Sequence, residues 1–141
     1  MKKKSSFSGE FARFDGVRSF PKPAQGAKLP VIFGGESMPA LRRVARLGNG
    51  WFGVKLNPDQ AAAKIATLRK LMTEAGRDIS EIEIIISPYE NEVNEDDLRA
   101  YHEVGVHEFV PFVRLPGDDR MIPKVLEDLA RQWVEPTAKL H

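Results

Sequence analysis

The chain has 141 residues, 21 Lys+Arg against 20 Asp+Glu, a net charge of +1, 42% hydrophobic residues and no cysteine. This is the profile of one soluble domain, long enough to bury roughly 70% of the surface its unfolded form exposes. The missing cysteine excludes disulfides, zinc–thiolate sites and thiol nucleophiles and suits a reducing cytoplasm, while the balanced charge argues against a nucleic-acid binder.

Lys2, Lys3 and Lys4 form the basic cluster of the chain, but Ser5 to Gly16 supply no apolar run behind it, so no export signal is expected. No apolar stretch approaches the roughly 20 residues that span a bilayer, and the reading is a cytoplasmic protein without membrane or nucleic-acid partners. Residues 1–30 read as a separate tail. Phe7, Phe11, Phe14 and Phe20 sit among polar residues and are followed by Pro21, Pro23, Gly26 and Pro30. Asp15-Gly16 predicts a hairpin turn within residues 10–20, and the prolines after it predict an extended strap.

From residue 31 to 141 the pattern is regular, with four β-rich runs that alternate with amphipathic segments. Val31-Ile32-Phe33 precedes a helix from Met38 to Leu47, capped by Ser37 and stopped at Gly48. Trp51 to Lys55 precedes a helix from Pro58 to Ala75, where Asn57 caps, Pro58 opens, Gln60 completes a box and Gly76 stops. Ala61, Ile65, Leu68 and Met72 form its buried stripe. Ile82 to Ser87 reads as a central parallel strand covered on both faces. Asn94 then caps an acidic first turn, Glu95-Asp96-Asp97, of a helix that runs to Val104 and stops at Gly105. A fourth strand from Glu108 to Val113 precedes a helix from Met121 to Trp133, whose inner face is Val125, Leu126, Leu129 and Trp133.

The fold class is therefore α/β, with four parallel β/α units. A closed (β/α)8 barrel needs eight strands, so the chain forms either an open sheet or half of a barrel. In both, ligands bind at the carboxyl ends of the strands. Those ends hold Gly34, Gly35, Glu36 and Ser37 after the first strand, Lys55 and Asn57 after the second, Ser87, Tyr89 and Glu90 after the third, and Arg114 after the fourth. His102 and His107 fall elsewhere and read as structural, and Trp51 reads as core.

Two glycines before a helix N-terminus allow a phosphate to approach backbone N–H groups, with the amide of Glu36 facing the ligand in place of its carboxylate. The same spacing also fits a tight strand–helix turn with Ser37 as an ordinary cap. Arg114 reads either as a phosphate neutraliser or as a solvated loop residue. The acidic run at Glu90, Glu92, Glu95, Asp96 and Asp97 reads as helix capping, and no metal is called for.

Five segments in order carry a resemblance. Phe20-Pro21-Lys22-Pro23-Ala24-Gln25, Pro30-Val31-Ile32-Phe33-Gly34-Gly35-Glu36-Ser37, Ala40-Leu41-Arg42-Arg43-Val44-Ala45, Gly48-Asn49-Gly50-Trp51-Phe52 and Glu74-Ala75-Gly76-Arg77-Asp78 closely resemble the bacterial luciferase-like monooxygenases. These are flavin- or F420-dependent oxidoreductases on a (β/α)8 barrel. The resemblance implies barrel strands five to eight with the strap before them, and FMN or F420 as cofactor. It implies cofactor-phosphate binding at Gly35, Glu36 and Ser37, with Ala40 just inside the helix, where related proteins often carry a hydroxyl. Asn49 stands where Asp is usual. Because the family draws much of its flavin platform from the early strands, catalysis by this chain would require a homodimer or a separate N-terminal half. The alternative is a non-catalytic flavin-phosphate-binding or oligomerisation module of the same descent.

Overall fold

In a computed structural model, residues 4–138 are described, and the chain divides between Pro30 and Val31 into two compact units. The first unit holds an antiparallel hairpin, β1 (Ser5–Ser8) and β2 (Arg13–Val17), and a short 3₁₀ turn over Gly26–Lys28. The hairpin turns at Gly9–Ala12, closed by Gly9 N–H donating to Ala12 C=O at 2.9 Å, and not at Asp15-Gly16 as the turn signal predicts.

Asp15 and Gly16 instead form a bulge inside β2, both opposing Ser6 where the register shifts by one. The Ser6 hydroxyl donates to Asp15 Oδ1 at 2.5 Å and accepts the Gly16 N–H at 3.0 Å, and Gly16 takes φ +61. The same residue chemistry that makes a hairpin turn also makes a bulge, and only the pairing partner tells them apart. Phe7 and Phe14 face each other across the ladder, ring centroids 5.9 Å apart.

The second unit is a four-stranded parallel sheet in the order β3 (Ile32–Gly34), β4 (Gly50–Val54), β5 (Glu83–Tyr89), β6 (Glu108–Pro111). The connecting helices are α1 (Met38–Leu47), α2 (Pro58–Glu74) and α3 (Glu95–Glu103), and α4 (Ile122–Leu129) follows β6. Helix starts lie where their caps predict. Ser37 caps α1, and Asn57 with Gln60 and Asn94 with Asp97 form complete capping boxes on α2 and α3. A 3₁₀ turn over Ile79–Glu81 carries a further box from Asp78 and Glu81 that the hydrophobic pattern does not announce.

Strand alternation assigns the two faces of the sheet. Trp51, Ile84 and Ile86 join Leu41, Val44, Ile65, Leu68, Met72 and Tyr101 in one core, with Phe33 and Phe109 packed against it. Since these helix residues come from α1, α2 and α3, all three helices cover the same face. Sequential strands with helices on one face are the arrangement of a (β/α)8-barrel segment, whereas a doubly wound sheet carries helices on both.

The far end departs from expectation. β6 stops at Pro111, two residues short of Val113, where the missing N–H ends the ladder. No residue of α4 is buried and Leu126 is 55% exposed, so it is not an inner-face residue. A π-helical turn over Ala130–Val134 follows α4, with a last turn over Glu135–Thr137. Its wider turn breaks the 3.6-residue period on which the predicted stripe rests. Trp133 nevertheless reaches β6, its ring 5.3 Å from that of Phe109.

Candidate functional site

The carboxyl ends of β3 to β6 bring the expected residues to one end of the sheet. After β3, Gly35 adopts φ +99, a conformation that side chains disfavour, and a Cβ there would stand 3.2 Å from the Cβ of Ala40. The turn is held from two sides. The buried Trp51 indole donates its N–H to Gly35 C=O at 3.0 Å, and the Lys64 ammonium donates to Glu36 C=O at 3.1 Å. In a trans peptide the N–H points opposite to the C=O. Both carbonyls are turned to the protein, so the amides of Glu36 and Ser37 point away from Trp51 and Lys64, and neither bonds to a group among the described residues.

The Glu36 carboxylate accepts the Val54 N–H at 3.2 Å, taking the donor that the end of β3 leaves unpaired at the end of β4. Ser37 Oγ accepts the Ala40 N–H at 3.4 Å as N-cap, which leaves the hydroxyl proton available for an outside acceptor. Ala40 is buried, and its methyl packs against Gly35. The turn therefore offers two outward amides, one hydroxyl and the positive end of a ten-residue helix, a donor set that fits a phosphate and no cation.

Farther along, the structure separates the other candidates. Asn57 is spent on the α2 cap, and Arg114, in an exposed loop, pairs with Glu90 at 2.7 Å. His107 Nδ1 accepts the Ile84 N–H at 2.9 Å at the other end of the sheet. Lys55 and Tyr89, at the ends of β4 and β5, are the non-glycine residues with positive φ among those described, at 60° and 59°. Such backbones are costly and cluster at functional sites. Lys64 and the Trp51 indole are parts of the site that the sequence alone does not reveal, because neither lies in the turn they hold.

The family model of the luciferase-like monooxygenases matches residues 1–139. The chain belongs to the luciferase-like monooxygenase family. An uncharacterized protein of Mycobacterium tuberculosis is 31% identical over 116 residues, which cover 78% of this chain and 36% of that protein. The chain thus spans about a third of that protein. Among solved structures, the coenzyme F420-dependent tetrahydromethanopterin reductase of Methanopyrus kandleri superposes with a TM-score of 0.69 at 12% identity, covering 92% of this chain and 57% of that one. An F420-dependent secondary alcohol dehydrogenase, solved with an F420–acetone adduct, gives 0.62 at 14% identity, covering 79% and 50%. These two likenesses are of fold. No helix among the described residues is long and apolar enough to cross a membrane.

Proposed function

We propose that this chain is the cofactor-phosphate-binding half of a (β/α)8 luciferase-like oxidoreductase that uses F420 or FMN. The observation that carries the reading is the Gly34–Ser37 turn, whose inward carbonyls leave the amides of Glu36 and Ser37 presented outward at the start of α1. Gly34 and Gly35 allow a close approach, Glu36 and Ser37 donate, and Ala40 keeps the space beneath Gly35 small. A bound F420 or FMN would supply the electron pair for oxidoreduction, while this chain holds and orients its phosphate.

Four strands leave two open edges, β3 and β6, and a second copy or a separate N-terminal half would pair with both. A cysteine-free sequence suits the same protein in a reducing cytoplasm.

The test is a fluorescence titration with F420 and with FMN, with mass from light scattering on the same sample. Binding that inorganic phosphate competes away, by a dimer, is the expected result. Ser37→Ala is expected to weaken it about fivefold, the equivalent of one ordinary hydrogen bond of about 1 kcal/mol. No saturation up to about 1 mM cofactor, an affinity weaker than roughly 4 kcal/mol, would overturn the reading and leave a non-catalytic module.

A further inference from the structure

A second constellation stands at the same end of the sheet, outside the Gly34–Ser37 turn. Buried Ser87 organises it. Its carbonyl accepts the Lys55 N–H at 2.9 Å, and its hydroxyl accepts the Tyr89 N–H at 3.3 Å, so one residue pins both left-handed backbones. The Lys55 ammonium lies 4.6 Å from the centre of the Tyr89 ring, and that ring packs on Phe112 at 4.5 Å. Beside the two rings is a cavity of about 280 Å³, lined by Tyr89, Phe112, Trp133, the Glu90–Arg114 pair and Glu92, the last a carboxylate that an anionic ligand must keep away from.

The charges at this end are not equivalent. Arg114 is neutralised by Glu90, Lys64 is spent on the Glu36 carbonyl, and the Glu36 carboxylate is turned onto Val54. No carboxylate pairs with Lys55 among the described residues. A cation fixed over a π face loses part of its water yet keeps donors for an anion. The left-handed backbone of Lys55 has a conformational cost, and the geometry it holds sets an exposed ammonium over the Tyr89 ring.

We propose that Lys55, Tyr89 and Phe112 form a substrate subsite for a small aromatic carboxylate, with the carboxylate on the Lys55 ammonium and the apolar body against the exposed margin of the two rings. The proposal deepens the oxidoreductase reading by naming a substrate class, but the subsite is built from β4 to β6 alone and binds without cofactor.

The test titrates the cofactor-free chain with benzoate and with benzyl alcohol, followed by ligand-observed NMR. Benzoate is expected to bind at least about tenfold tighter than the alcohol, with the preference kept in Lys55→Arg and lost in Lys55→Gly. Glycine accepts φ 60, so Lys55→Gly should melt no lower than the parent, which separates lost binding from misfolding. Ser37→Ala, which weakens cofactor binding, should leave benzoate binding unchanged. Equal affinity for the two probes, or benzoate binding retained in Lys55→Gly, would overturn the subsite. Loss of benzoate binding in Ser37→Ala would also overturn it, by assigning the anion to the phosphate turn.

Discussion

The centre of the sheet and its β6 margin have similar sequence signals and very different burial. At the centre, Trp51, Leu41, Val44, Leu68, Met72 and Ile86 are all at most 1% exposed. At the margin, β6 is half-buried, α4 has no fully buried residue, with half-buried Ile122, Val125 and Leu129 its least exposed, and Trp133 and Phe109 meet as half-buried rings. Both regions have an amphipathic helix after a β-rich run. The difference shows that an apolar stripe is a capacity for burial, which is realised only where a neighbouring element stands opposite. α1 and α2 pack on each other and each connects two paired strands, whereas among the described residues no strand follows α4 for it to pack across.

Substitutions can break this contrast, beginning with the largest expected effect. Trp51→Ala removes a fully buried ring together with the hydrogen bond to Gly35 and is expected to destabilise by about 3–5 kcal/mol, read from the denaturant midpoint at constant slope. A loss below about 1 kcal/mol would show that the centre is no tighter than the margin.

Tyr101 sits between the two regions, on α3, with its hydroxyl donating to the Leu56 carbonyl at 2.5 Å and its ring 5.6 Å from Phe109. Tyr101→Phe leaves that carbonyl unpaired and should cost about 1–2 kcal/mol near neutral pH. Burial first, and then the charge of Asp97, push the Tyr101 phenol from 10.0 up to about 12. As pH rises, the unfolded chain gives up this proton before the folded one does. The contribution is therefore level below pH 10, declines between 10 and about 12, and should be absent from the alkaline denaturation profile of Tyr101→Phe. An unchanged profile would place the phenol in water.

The smallest effect is expected at Leu126, where replacement by Ala should change stability by no more than about 0.5 kcal/mol. A loss of 2 kcal/mol or more, at about the level of a core leucine, would mean that the margin is covered in solution.

Much of this organisation was legible in single residues. Ser37, Asn57 and Asn94 marked helix starts, and Gly48, Gly76 and Gly105 marked the ends, because unpaired N–H and C=O groups at helix termini demand particular local chemistry. Ala61, Ile65, Leu68 and Met72 named the buried stripe of α2 by spacing alone. The Gly34–Ser37 turn was also visible, as a strand–Gly–Gly–x–Ser–helix sequence.

What the tertiary structure decided depended on partners distant in sequence. Asp15-Gly16 became a bulge because Ser6 lies across from it, and Leu126 remained exposed because nothing among the described residues packs over it. The outward direction of the Glu36 and Ser37 amides depends on Trp51 and Lys64, which are 16 and 28 residues away from the carbonyls they hold. The left-handed backbones of Lys55 and Tyr89 share Ser87 across two strands. Local hydrogen-bond demand is written into neighbouring residues and can be read in order. A cradle's orientation and a cation's surroundings are sums over contacts that the chain makes only after it has folded.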